Sequence, residues 1–196
     1  MFRLACLLIV AFLGYYFFYP DTVIVQPDGV LVAHEPIQSA TPLTSAWQHK
    51  GYTITPRARF ALTARVLSRA RYRVERNSGL VPYDFALGWK EMSDSRILRQ
   101  LTIKQYMRLY TYRWQNAPPV AQHIIASNSA NMHLIPANDT VRDTMGKVRT
   151  GHIITLEGTL VDFARGNELQ RSSMTRGDTG LGACEIIWVT SLAIRD

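Results

Sequence analysis

From Tyr52 to Val74 the side chains alternate with a period of two, and this rhythm restricts the fold more than any other feature of the chain. The even positions are apolar: Tyr52, Ile54, Pro56, Ala58, Phe60, Leu62, Ala64, Val66, Ala70, Tyr72 and Val74, interrupted only by Ser68. The odd positions include Arg57, Arg59, Arg65, Arg69, Arg71 and Arg73. A two-residue period belongs to a strand with one side on a core. A helical stripe through Phe60, Ala64, Leu67 and Val74 would omit Leu62 and Val66 and scatter the arginines, so the sheet is the better reading. The 23 residues exceed an ordinary strand of about 3–10, which predicts a bend or bulge near Pro56 or Ser68.

The whole chain has 196 residues, 47% of them apolar and 19% charged, which excludes a disordered polymer and provides for one domain with an appendage. The net charge is +7, and the stretch from Arg57 to Arg76 carries seven arginines against the single Glu75. Such a concentration suits a polyanion or an acidic membrane surface. It equally suits a solvated sheet face that discourages edge pairing. Cys6 and Cys184 lie in unlike surroundings, so no internal disulfide is expected.

Leu4 to Tyr19 contains no charge and reads as a membrane-inserting segment. Its 16 residues reach about 24 Å as a helix, against a hydrocarbon core of about 30 Å. Arg3 can snorkel, and Tyr15, Tyr16 and Tyr19 suit the far interface. No small-residue cleavage site follows, which favours a retained signal-anchor over a cleaved peptide. Leu4-Ala5-Cys6 lacks the preceding apolar run that lipidation needs. Arg3 and the α-amino group precede the span, whereas Asp21 follows it and the next basic residue is Lys50. The positive-inside rule therefore places the N-terminus in the cytoplasm. The expected location is a bacterial inner membrane with the domain in the periplasm. The expected organisation is an anchor over 1–20, a hairpin or tether over 21–50, and a β-rich extracytoplasmic domain over 51–196.

Pro27-Asp28-Gly29 between Thr22–Val25 and Val30–Ala33 predicts a hairpin. Ser93 is the expected N-cap of a helix over Asp94–Gln100. Leu101 to Trp114 reads as one strand, with Leu101, Ile103, Met107 and Leu109 on one face and Lys104, Tyr106, Arg108, Tyr110, Tyr112 and Trp114 on the other. Rings interleaved with cations can stack bases or sugars beside phosphate. The competing reading is cross-strand packing of the rings under a covering helix over Val120–Ser127. Ser127 to Pro136 is rich in hydrogen-bonding groups. Asn138 or Asp139 caps a helix running to about Arg149. His152–Phe163 and Ile186–Ile194 are strand-like, the latter apolar on both faces as a central strand requires.

Two chemical readings follow for the remaining polar residues. Ser129, Asn131, His133, Arg171, Arg176 and Asp178 form a structural network or line a groove, with Asp178 paired to Arg171 or Arg176. Alternatively His133 is a base, with Cys184, Ser172 or Ser173 as nucleophile and Asp178 or Glu185 as orienting acid. No nucleophile elbow, metal-finger spacing or dinucleotide fingerprint accompanies them, so no metal and no cofactor is expected.

Through Ala86-Leu87-Gly88-Trp89 with Met92-Ser93-Asp94, through Ser129 to Ala137, and through Arg171 to Glu185, the chain resembles an uncharacterised group of bacterial single-pass membrane-anchored proteins. The likeness spans most of the outer region. It implies an envelope location and transfers no activity or catalytic residue. The resulting expectation is a mainly β fold with short helices, a small barrel or sandwich of OB-like type, behind one transmembrane helix. The expected role is binding or assembly in the envelope, with other envelope proteins as partners and membership of a larger membrane complex as one form of it. The alternatives are polyanion binding (nucleic acid, glycan or anionic lipid) through the arginine and aromatic faces, and a hydrolase centred on His133.

Overall fold

The computed structural model describes residues 22–175 and 184–195. The expected membrane-inserting segment over 4–19 and two expected network residues, Arg176 and Asp178, lie outside them. The described residues form a mainly β fold. Its strands are β1 (Ile37–Ser39), β2 (Trp47–His49), β3 (Tyr52–Arg71), β4 (Tyr83–Gly88), β5 (Thr102–Tyr106), β6 (Leu109–Arg113), β7 (Ser129–Pro136), β8 (Ile153–Arg165), β9 (Glu168–Gln170) and β10 (Glu185–Arg195). Three short helices interrupt them: α1 (Ser95–Leu98), α2 (Gln122–Ser127) and α3 (Asp139–Lys147).

Five strands close a ring in the order β3, β4, β7, β10, β8 and back to β3. All its pairs are antiparallel except β7 with β10. The ring encloses Phe60, Leu62, Val66, Phe85, Leu134 and Leu156 among others. At one end α3 inserts Val141 and Met145, followed by Val148, into the same core. Asn138 caps α3 as its spacing predicts, its side chain accepting from Val141 N at 2.9 Å.

β3 joins both neighbours because it bulges twice, between Pro56 and Ala58 and between Val66 and Ser68. Both expected positions bend. Each bulge reverses the side on which successive residues fall. Tyr52 and Ile54 consequently pack with Ile135, Val161 and Phe163 in a second cluster, whereas Ala58 to Val66 face the ring interior. Beyond Leu67 the inward side passes to Arg69 and Arg71, which stand opposite Phe85 and Tyr83.

The uniform alternation conceals these reversals, and the expected continuous arginine face does not form. Arg57 and Arg59 are exposed. Arg65 is only 7% exposed, because its Nη1 donates to Ser93 O at 3.0 Å and Ser95 Oγ at 2.8 Å. Burial lowers its pKa, while the Asp94 charge opposes that shift. Arg69 turns to the C-terminal end of α3, donating to Gly146 O at 3.1 Å and Val148 O at 2.7 Å. Arg71 ends the strand and Arg73 lies beyond it.

Residues 22–33 contain no strand pair, contrary to the expected hairpin. They run extended along the domain, and their backbone groups pair with side chains and loops. Ile24 N donates to Thr150 O at 2.8 Å, Gly29 N to Asp94 Oδ1 at 3.0 Å, and Leu31 N and Val32 N both to Ser93 Oγ at 3.0 Å. Val32 reaches the main core. Ser93 is thereby engaged, and Asp94 is the N-cap of α1, accepting from Arg96 N at 2.8 Å.

Candidate functional site

The outward faces of β4 and β7 bring three residue pairs together: Asp84 with His133, Ala86 with Asn131, and Gly88 with Ser129. Their alternates Tyr83, Phe85, Leu87, Met132 and Leu134 point into the ring. Ser129 to Pro136, expected only as a polar segment, is therefore a strand whose polar residues share one side. That side is covered by the β5–β6 hairpin.

The expected single strand Leu101–Trp114 folds back on itself through Met107 and Arg108, both with positive φ (48° and 62°). This reversal divides the expected aromatic and cationic face. Tyr106 is 76% exposed, whereas Tyr110, Tyr112 and Trp114 pack with Ile103 over Leu67, Ala86, Met92 and Ile125. The hairpin is fastened by Gln105 Nε2 donating to Asn131 Oδ1 at 2.6 Å. Tyr110 OH adds a bond to Ser129 Oγ at 3.1 Å.

Arg108 is the central fastening. Its Nη1 meets Asp84 Oδ1 at 2.9 Å, its Nη2 donates to Val81 O at 3.0 Å, and its Nε meets Glu75 Oε2 at 2.9 Å. The guanidinium lies 4.0 Å from the centroid of the Tyr72 ring, a cation–π contact. Its own carbonyl accepts from Asn131 Nδ2 at 2.9 Å. Burial, reinforced by the Asp84 charge, raises the pKa of the Tyr72 hydroxyl, so it stays neutral.

Asp84 is fully buried and also receives His133, whose Nδ1 is 2.9 Å from Oδ1. Burial alone would lower the His133 pKa. Its contacts with Asp84 and Cys184 outweigh burial and raise it to about 9. The imidazole consequently holds its proton at neutral pH and faces Asp84 as a cation; a general base would have to be neutral there. Cys184 adjoins the cluster, its sulfur accepting from Asn131 Nδ2 at 3.6 Å. The chemistry on display is a carboxylate clamped between two cations, which pins a hairpin to a sheet.

The structure thus unites Ser129, Asn131 and His133 from the expected network with Arg108 and Tyr110 from the expected aromatic face. Arg171 is exposed and stands apart. Ser172 and Ser173 serve the chain's return into β10: Ser172 N donates to Asp162 Oδ1 at 3.0 Å, Ile186 N to Ser172 Oγ at 3.0 Å, and Ser173 N to Cys184 O at 3.0 Å. Among the described residues no group of three or more His, Cys, Asp and Glu could hold a metal ion. Sequence reasoning missed Asp84, Glu75 and Gln105. The available signal was Asp84 itself, one carboxylate inside the apolar run Val81 to Trp89. No family model, curated protein or solved structure matches the chain.

Proposed function

We propose that the chain is a membrane-anchored, extracytoplasmic binding or assembly protein of a bacterial envelope, and that its five-stranded ring is an OB-type Greek-key barrel. The barrel reading is supported by the ring order, in which the fifth strand lies between the third and the fourth. The anchor reading is supported by the uncharged run from Leu4 to Tyr19.

One observation carries the binding role. Tyr106 and Met107 are 76% and 69% exposed at the tip of the β5–β6 hairpin, yet that tip is fixed by the pair of Arg108 with the buried Asp84. A rigid apolar projection loses little freedom on binding, and preorganisation of this kind favours association. In an OB-type barrel the faces of the second and third strands take oligonucleotides or oligosaccharides. Here those strands are β4 and β7, and the chain's own hairpin occupies them, which favours a protein contact at the tip over a polymer on the sheet.

The test is purification of the full chain from membranes in mild detergent. Partner proteins are expected with the intact chain, and are expected to be lost both on removal of residues 1–19 and in a Tyr106→Ser/Met107→Ser variant that keeps its Tm. Repeated recovery of the intact chain alone would refute the assembly role. Extraction of the intact chain from membranes by alkaline carbonate would refute the anchor.

A further inference from the structure

A second feature lies between the end of β3 and α3, at one end of the ring. A cavity of about 370 Å³ opens there, bounded by Arg71, Arg73, Tyr83, Arg142, Asp143 and Lys147 among others. Four of those six side chains are cationic and one is anionic. The second bulge of β3 creates the arrangement, because it carries Arg69 and Arg71 to the α3 end of the ring, each guanidinium 5.7 Å from the Tyr83 centroid. Arg69 is committed to the α3 carbonyls, and Arg142 lies 3.2 Å from Asp139. Lys147 is exposed, as is Arg149 two residues on.

The same end of α3 receives the chain on its way from the N-terminus. Ile24 N bonds to Thr150 O at 2.8 Å, and a Cβ on Gly151 would come within 2.0 Å of Ile24 O, so the two backbones are in close contact. The uncharged run ends at Tyr19, five residues before Ile24. An extended chain of that length spans at most about 18 Å. If the run crosses a membrane, the C-terminal end of α3 stands close to the headgroups. Basic groups there are attracted to an anionic surface within about a Debye length.

We propose that this cavity binds the phosphate headgroup of an anionic phospholipid of the membrane that holds the chain. Arg71 and Lys147 contact the phosphate, and Tyr83 forms the floor. The inference rests on the anchor reading above and is independent of the protein partner. It assigns the anionic-lipid form of the polyanion alternative to a site made of residues 71–73 and 142–147, away from the hairpin.

The experiment is native mass spectrometry of the full-length protein in detergent, with phosphatidylglycerol or phosphatidylcholine added. About tenfold more phosphatidylglycerol than phosphatidylcholine adduct is expected. In Arg71→Glu/Lys147→Glu the excess is expected to vanish, while Arg59→Glu, which reverses an exposed charge elsewhere, retains it. Lys147→Glu alone, at an exposed position, should remove at least half of the excess and serves if the double variant fails to fold. Equal adducts of both lipids, or equal loss in Arg59→Glu, would overturn the proposal. Displacement of the lipid by millimolar inorganic phosphate would overturn it in favour of a small-anion site. If the intact chain is also released from membranes by alkaline carbonate, the anchor reading has failed. If it stays in membranes while the lipid preference is absent, only the headgroup site has failed.

Discussion

His133 couples the candidate site to pH. Its folded pKa is raised to about 9, above the value of about 6.5 expected in an unfolded chain. A raised histidine pKa means that the folded state binds the proton more tightly. The stabilisation is complete below about pH 6.5 and disappears as pH rises through the folded pKa, with a limit on the order of 3 kcal/mol. Tm is therefore expected to fall between pH 6.5 and 9, and His133→Gln should flatten that fall when thermal unfolding is followed across the range. Asp84→Asn removes the buried carboxylate from two half-buried cations and should cost about 3 kcal/mol. It should also return the His133 titration, read by NMR, to or below the ordinary value. Histidine and asparagines were visible in the sequence as hydrogen-bonding residues. The pairing of His133 with Asp84 was not, because it depends on a strand register that joins residues 49 positions apart.

The β5–β6 hairpin shows how one turn changes the use of a segment. A two-residue hairpin turn requires positive φ at both central residues, which favours Asn-Gly. Here Met107 and Arg108 occupy those positions, at a cost of about 1–2 kcal/mol each. Arg108 is retained there by its four side-chain contacts; Met107 is 69% exposed and has no such compensation. Met107→Gly should raise stability by about 1 kcal/mol, read as a Tm increase of about 2–4 °C. Arg108→Gly should lower it by more, since it leaves the buried Asp84 with His133 alone and removes the contacts to Val81 O, Glu75 and Tyr72. The absence of Gly, Asn or Asp at 107 and 108 is why the sequence reads as one continuous strand. By contrast α3 was legible, since Asn138, the apolar pair Val141 and Met145, and the polar remainder all agree on a helix.

For the whole molecule, the N-terminal segment is part of the domain and no free stalk. Gly151 has φ 95° and no room for a Cβ against Ile24. Gly151→Ala should release the segment around Ile24, seen as new protease cleavage between residues 22 and 28, while the ring stays folded. Ser93→Ala leaves two backbone N–H groups, those of Leu31 and Val32, without their acceptor. The expected loss is about 2–4 kcal/mol, measured by denaturant unfolding. These latches lie in and beside Ala86-Leu87-Gly88-Trp89 with Met92-Ser93-Asp94, which accounts physically for that stretch. Gly88 admits no Cβ against Met92 O, and Trp89 and Met92 are buried.

The period of two in the first third of the outer region, with the apolar and polar alternation of the later strands, was enough to specify a mainly β chain, because burial of one side of a strand is a local requirement. The ends of α3 and the two bends in β3 were likewise legible, since caps and bulges have local chemistry. Which side each arginine occupies was decided only by the closed ring. A bulge reverses every residue beyond it, so a surface that looks continuous in the sequence is divided among the outer face, a buried latch at Arg65 and the cationic cavity beside α3. The clamp of Arg108 and His133 on Asp84 has the same origin, for it exists only where β4, β7 and a folded-back hairpin meet in space.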